Sequence, residues 1–171
     1  MTPNYQALVS EQAAMLSVPA LPVVTDERDS ASTDGARIFL GPQFMHNVFA
    51  AGGEGGVRFV LAHELGHTAI GMGLGGPTAE LEADRIAARS VAALGFDLDA
   101  IAGVMSLLPS QQSESHPGSG QRMASATVEF NDVATKNAIE SERELRHQRF
   151  EGQVPAVDRP DRNRNIREHA I

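Results

Sequence analysis

The stretch Leu61 to His67 reads L-A-H-E-L-G-H and places His63, Glu64 and His67 in an H-E-x-x-H pattern. On an α-helix, residues i and i+4 share a face, so both imidazoles can point at one metal ion without tertiary help. Glu64 lies one step round the helix. It can reach a water on such a metal but is poorly placed to ligate it. The pattern therefore predicts two zinc ligands and a general base. The plainer alternative is an amphipathic helix whose polar face carries His and Glu. The helix itself is expected from Val60, Leu61, Leu65, Ala69 and Met72, which come close to a helical stripe.

A catalytic zinc site needs a third protein ligand and one open position. Cysteine cannot supply it, because the chain has none. A third histidine six residues past His67 is also absent, since Gly73 stands there, which excludes the metzincin pattern. The next segment, A-E-L-E-A-D, offers Glu80, Glu82 and Asp84. Glu80 and Asp84 share a helical face, and Glu82 points elsewhere. Two helices joined by a glycine-rich turn can lie antiparallel and bring Glu80 to His63 and His67 as the third ligand. Asp84, one turn on, can then hold the far nitrogen of a ligand histidine. Glu82 is expected to be a solvated surface acid.

The elements that must position these groups follow from punctuation and periodicity. Asn4 to Leu16 predicts a helix with Tyr5, Leu8, Val9, Ala13 and Leu16 inward. Pro19 and Pro22 end it. Leu21 to Thr25 and Ala36 to Leu40 predict two strands, paired antiparallel across a polar turn from Asp26 to Gly35. Pro42 suits a first helical position. Gly52 to Gly56 is expected to break the chain before the H-E-x-x-H helix, which should run to about Met72. Gly71, Gly73, Gly75 and Gly76 then form a turn, and Pro77 opens a helix to about Leu94. Leu98 to Leu107 predicts a further helix, Pro109 to Gln121 a polar loop, and Arg122 to about Phe130 a last core helix. Lys136 to Arg149 reads as a separate charged helix. Glu151 to Ile171 has too few apolar residues to offset its ordering entropy and reads as a mobile tail.

With 171 residues, the chain suits one domain with a real core. The expected division is a metal-binding domain at 1–130 and a charged helix with a flexible tail at 131–171. The formal net charge is -8. Basic and acidic groups balance in the tail region, so the body carries the whole excess. An acidic body argues against nucleic acid as a partner. The first residues, M-T-P-N-Y-Q, lack the basic and apolar regions of a secretory signal. No run of about 18 apolar residues predicts a membrane span. A cytoplasmic location, or export by a route without an N-terminal signal, is expected.

Taken together, H-E-L-G-H followed by E-L-E-A-D resembles the gluzincin metallopeptidases of the HtpX heat-shock protease and CAAX prenyl endopeptidase family. In that family a glutamate of an E-x-x-A-D type motif is the third zinc ligand, which corresponds here to Glu80, with Ala83 and Asp84 completing the motif. S-H-P-G-S-G-Q-R, from Ser115 to Arg122, resembles the family's S/T-H-P-x-x-x-x-R motif. The resemblance implies that His116 lies near the metal and steadies the oxyanion, or occupies the site in a resting state. It also implies that Arg122 holds the loop or the acidic ligand helix. The short gap between His67 and Glu80 is similar to that of the minimal soluble members called minigluzincins. The implied fold is α+β and zincin-like, mostly helical, with a small antiparallel sheet over the active-site helix. The implied substrate is a peptide added along a strand edge, expected at Ala36 to Leu40. The implied activity is zinc-dependent endopeptidase. The alternatives are a peptidase that cleaves a regulator, or a latent zinc-binding scaffold. Intact Glu64 argues against the scaffold, since a structural site has no need of a base. The tail, with His147 and His169 as spare ligands, is expected to dampen activity.

Overall fold

The computed structural model describes residues 3–71, 76–114 and 116–151. Met72, Gly73 and Gly75 of the expected turn, Ser115 of the loop motif and the tail at 152–171 lie outside them. The described chain is α+β and mostly helical. Its elements run α1 (Tyr5–Leu16), β1 (Val23–Thr25), β2 (Ala31–Thr33), β3 (Ile38–Leu40), α2 (Pro42–Ile70), α3 (Pro77–Ala93), α4 (Leu98–Ser106) and α5 (Ser119–Glu151). By compactness it divides into residues 1–137 and residues 138–171.

Helix α2 is the axis of the first unit, with α1, α3, α4, β2 and β3 all packed on it. Every residue from Gly55 to Gly66 is buried. A surface helix hides one stripe, whereas a helix covered on all sides buries its whole circumference. Arg58 sits inside this span at 8% exposure. Its guanidinium is carried out to Glu11 on α1 and Glu54, each at 2.8 Å. The burial is tolerated because both charge partners stay near solvent.

The expected break at Gly52 to Gly56 contracts to one residue. Gly53 adopts φ 60°, ψ -153° and kinks α2, while its neighbours remain helical. Those neighbouring glycines serve packing instead. A Cβ on Gly103 of α4 would lie 2.2 Å from the Ala51 carbonyl oxygen, and one on Gly52 would lie 2.5 Å from that of Ala100. Helices α2 and α4 therefore touch backbone to backbone. Gly103→Val is expected to cost about 3 kcal/mol or more, since neither backbone can yield without separating the helices. Gly120→Ala, where a Cβ meets nothing within 4 Å, is expected to be neutral or slightly stabilising. Urea unfolding of the two variants checks the contrast; equal midpoints would show that α4 is not pinned at Gly103.

The sheet corrects two expectations. Its order is β1-β3-β2, with β1 parallel and β2 antiparallel to β3. The polar stretch expected as turn contains β2, which pairs Ala31 with Leu40 and Thr33 with Ile38. The β2–β3 hairpin closes on Asp34, whose side chain accepts from the backbone N–H groups of Ala36 and Arg37. Because β2 reverses the chain before β3, β1 and β3 end up parallel. The Ala36 to Leu40 segment is consequently the central strand. It cannot receive a substrate strand, and the edge next to α2 belongs to β2.

Helix α5 is continuous from Ser119 to Glu151, so no break separates a core helix at Arg122–Phe130 from a charged helix at Lys136. Ala126 and Phe130 are buried, and Val133 and Ala134 continue the same stripe against the core. In the second unit, Glu142 and Arg146 pair along the helix at 2.5 Å. Among the described residues no helix is long and apolar enough to cross a membrane.

Candidate metal centre

His63 and His67 project from α2 one turn apart, with ring planes at 87° and Nε2 atoms 3.1 Å apart. Glu80 comes from the first turn of α3, where Pro77 at the helix start sets its phase. Its two oxygens lie 3.5 Å from Nε2 of His63 and 3.4 Å from Nε2 of His67. Helix α3 can come this near because residue 66 is glycine. A Cβ there would stand 3.1 Å from Cα of Ala83.

His63, His67 and Glu80 form a group that could hold a metal ion. The donor spacings test the fit. Bonds of about 2.0–2.2 Å to a tetrahedral ion place ligand atoms roughly 3.3–3.6 Å apart. The two Nε2 atoms are 3.1 Å apart, and each meets a different oxygen of Glu80, Oε2 at 3.5 Å from His63 and Oε1 at 3.4 Å from His67, so the carboxylate spans both histidines at near-ligand spacing. Two imidazoles and a carboxylate are also the donors that zinc accepts.

Asp84 and Arg122 fix the group from behind. Nδ1 of His63 donates to Oδ1 of Asp84 at 2.9 Å. That bond holds a proton on Nδ1, so that Nε2 is the nitrogen that offers a lone pair once the ring is neutral. Arg122, from α5, donates to both Asp84 oxygens at 2.7 Å in a bidentate pair. Its Nη1 lies 3.5 Å from Glu80. Nη2 is also 3.4 Å from Nδ1 of His63, a contact between two donors and so not a second hydrogen bond. Asp84 is fully buried, and a lone carboxylate there would be costly without the guanidinium.

These contacts set the protonation states. Burial disfavours a charged imidazole, yet the hydrogen bonds to Asp84 and Glu80 outweigh it and push His63 up to about 9. Burial also opposes ionisation of Glu80, but His63, His67 and Arg122 outweigh it and hold that carboxyl far below its ordinary range. Asp84 is likewise lowered, because Arg122 and His63 overcome its burial. Glu64 moves the other way. Its burial raises its carboxyl, and the nearby cations do not fully compensate. Two neighbouring carboxylates with opposite displacements can take different roles.

A cleft of about 570 Å³ opens over these groups, lined by His63, Glu64, His67, Glu80, His116 and Arg122 among others. His116 stands at its mouth, 60% exposed, with Nε2 3.9 Å from Glu80. Glu82 faces away and pairs with Arg85 at 3.1 Å. The structure thus brings His63, Glu64, His67, Glu80, Asp84, His116 and Arg122 together and leaves Glu82 outside. The sequence reading missed the opposite side of the cleft. Ala31, Ser32 and Thr33 of β2 line it, as do Phe44, Val104, Leu107 and Leu108. The adjacent Leu107-Leu108-Pro109, apolar residues opening a polar loop, were the one available signal. Comparison with family models, with curated proteins and with solved structures found no match to this chain.

Proposed function

We propose that this protein is a zinc-dependent endopeptidase of the minimal gluzincin kind, with His63, His67 and Glu80 as the ligands. The observation that carries the reading is the convergence of two imidazole Nε2 atoms and one carboxylate that could hold a metal ion, beside a buried glutamate. Zinc held there would supply an acidified water and a polarising charge for a peptide carbonyl. Glu64 takes a proton from the attacking water and returns it to the leaving amine nitrogen, work suited to a buried carboxyl beside the ligand pair. Asp84 keeps His63 in the tautomer and orientation that ligation needs. His116 stands at the mouth, where it can donate to the carbonyl oxygen as negative charge develops. An extended substrate would add along the edge of β2, across the cleft from the α3 carboxylate.

Metal uptake tests the ligand set. Glu80→Ala is expected to lose zinc, whereas Glu82→Ala retains it, because only Glu80 faces the histidines. Loss of a protein ligand should weaken affinity by well over about 10-fold, since even outer partners are worth roughly 10–100-fold. Metal analysis of the purified variants decides this, and retention by Glu80→Ala would remove it from the site. The activity is tested with a fluorogenic peptide mixture and a chelator titration. Cleavage that stops with metal removal and returns with zinc is expected. Metal-dependent melting without any cleavage would favour a scaffold instead. Ligation needs a neutral His63, so zinc uptake should release a proton and weaken as pH falls.

A further inference from the structure

Apolar side chains form part of the cleft wall, and nothing in the site described so far uses them. Val60, one turn before Glu64 on α2, begins this wall. Helix α4 is pressed onto α2 one turn earlier still, where Cγ2 of Val104 lies 3.1 Å from the Cβ position of Gly56. The end of α4 and the loop after it add Leu107 and Leu108, and Phe44 closes the far side. Leu107 is 39% exposed, and Phe44 and Leu108 are half-buried. Exposed apolar surface gathered in a concave site gains free energy when a ligand covers it.

We propose, resting on the peptidase reading, that the substrate is an extended peptide whose large apolar side chain, of leucine or phenylalanine size, seats on Phe44, Leu107 and Leu108. Three features select that occupant. The edge of β2, lined by Ala31, Ser32 and Thr33, faces the same cleft and gives a strand something to pair with. The wall itself carries no charged side chain. Among the described lining residues the one guanidinium, Arg122, is already engaged by Asp84. An acidic side chain on this wall would lose its hydration with no cation of the wall beside it. The distance also fits. One to two helical turns of α2 separate Val60 and the level of Gly56, where Val104 packs, from the ligand pair, roughly 5–10 Å. An extended chain covers that in about two or three residues, so the selected side chain lies within three residues of the cut bond.

The test uses the full-length zinc-loaded protein and matched fluorogenic peptides. They differ only by Leu, Phe, Ala or Asp at each of three positions on either side of the cut bond. At one position Leu and Phe are expected to exceed Ala in kcat/KM by about 10-fold or more, with Asp below Ala. Leu107→Lys, at an exposed position that tolerates a long polar chain, should lose most of that preference and raise the Asp peptide relative to Leu. Circular dichroism confirms that the variant is folded. Equal rates for Leu and Ala at every position, or an unchanged preference in Leu107→Lys, would overturn the proposal. Binding separates this idea from the reading beneath it. Fluorescence anisotropy of labelled peptides on zinc-loaded Glu64→Gln reports occupancy without turnover. Selective binding of Leu peptides with no cleavage by the wild type keeps the apolar seat and discards the peptidase. Cleavage without selectivity keeps the peptidase and discards the seat. Neither cleavage nor selective binding discards both.

Discussion

Glu64→Gln is expected to keep the fold and bind zinc, and to lose peptide turnover by about 10²–10⁴-fold or more. The substitution preserves the shape of the side chain and removes only its ability to take a proton. The metal group is spared, because its donors come from His63, His67 and Glu80. Stability should change little or rise. A buried carboxyl whose ionisation is opposed by its surroundings is replaced by a neutral amide of the same size. Two measurements on one preparation decide the matter: bound zinc by elemental analysis, and kcat/KM on the best fluorogenic peptide. Turnover near that of the wild type would eliminate Glu64 as the base. Loss of zinc together with turnover would mean that Glu64 supports the ligands, and its role would have to be rewritten.

A large effect on stability is also expected at Arg122. Arg122→Met removes the bidentate partner of a carboxylate that has no exposure of its own. Breaking a buried ion pair from one side typically costs about 3–5 kcal/mol, mostly the penalty for the charge left behind. The low end of that range is expected here, because His63 still donates to Asp84 at 2.9 Å. Arg122→Lys should recover little, since a point charge cannot span two carboxylate oxygens. The double variant Arg122→Met with Asp84→Asn is expected to be more stable than Arg122→Met alone, because the stranded charge is gone. Urea unfolding of the metal-free proteins measures this without the added stabilisation that bound metal contributes. If the single and double variants unfold alike, the pair does not hold charge in balance. The same variant should also bind zinc more weakly, since Asp84 would lose the clamp that orients His63.

The sequence alone determined the parts of this protein that depend on helical phase. His63 and His67 had to share a face, and so did Glu80 and Asp84, because residues one turn apart on any α-helix are neighbours. Proline and glycine marked the starts of α2 and α3 for an equally local reason, the φ angles those residues allow. Phase also placed Glu82 outside the site. Other features rested on distance between elements, which no local pattern encodes. Arg122 reaches Asp84 across 38 residues only because α5 runs alongside α3, where Arg85 also meets Ser125 and Arg89 meets Glu129. The approach of α3 to α2 depends on Gly66 facing Ala83, a match between two surfaces. Strand β2 was invisible because Thr33 is its one β-branched residue and Ala31 and Ser32 have little preference for strands; pairing with β3 is what makes them a strand. The same pairing moved Ala36–Leu40 from the edge of the sheet to its centre. The apolar wall was likewise out of reach. Phe44 comes from the start of α2 and Leu107 from the end of α4, and only the packing of α4 on α2 brings these two stretches to one cleft.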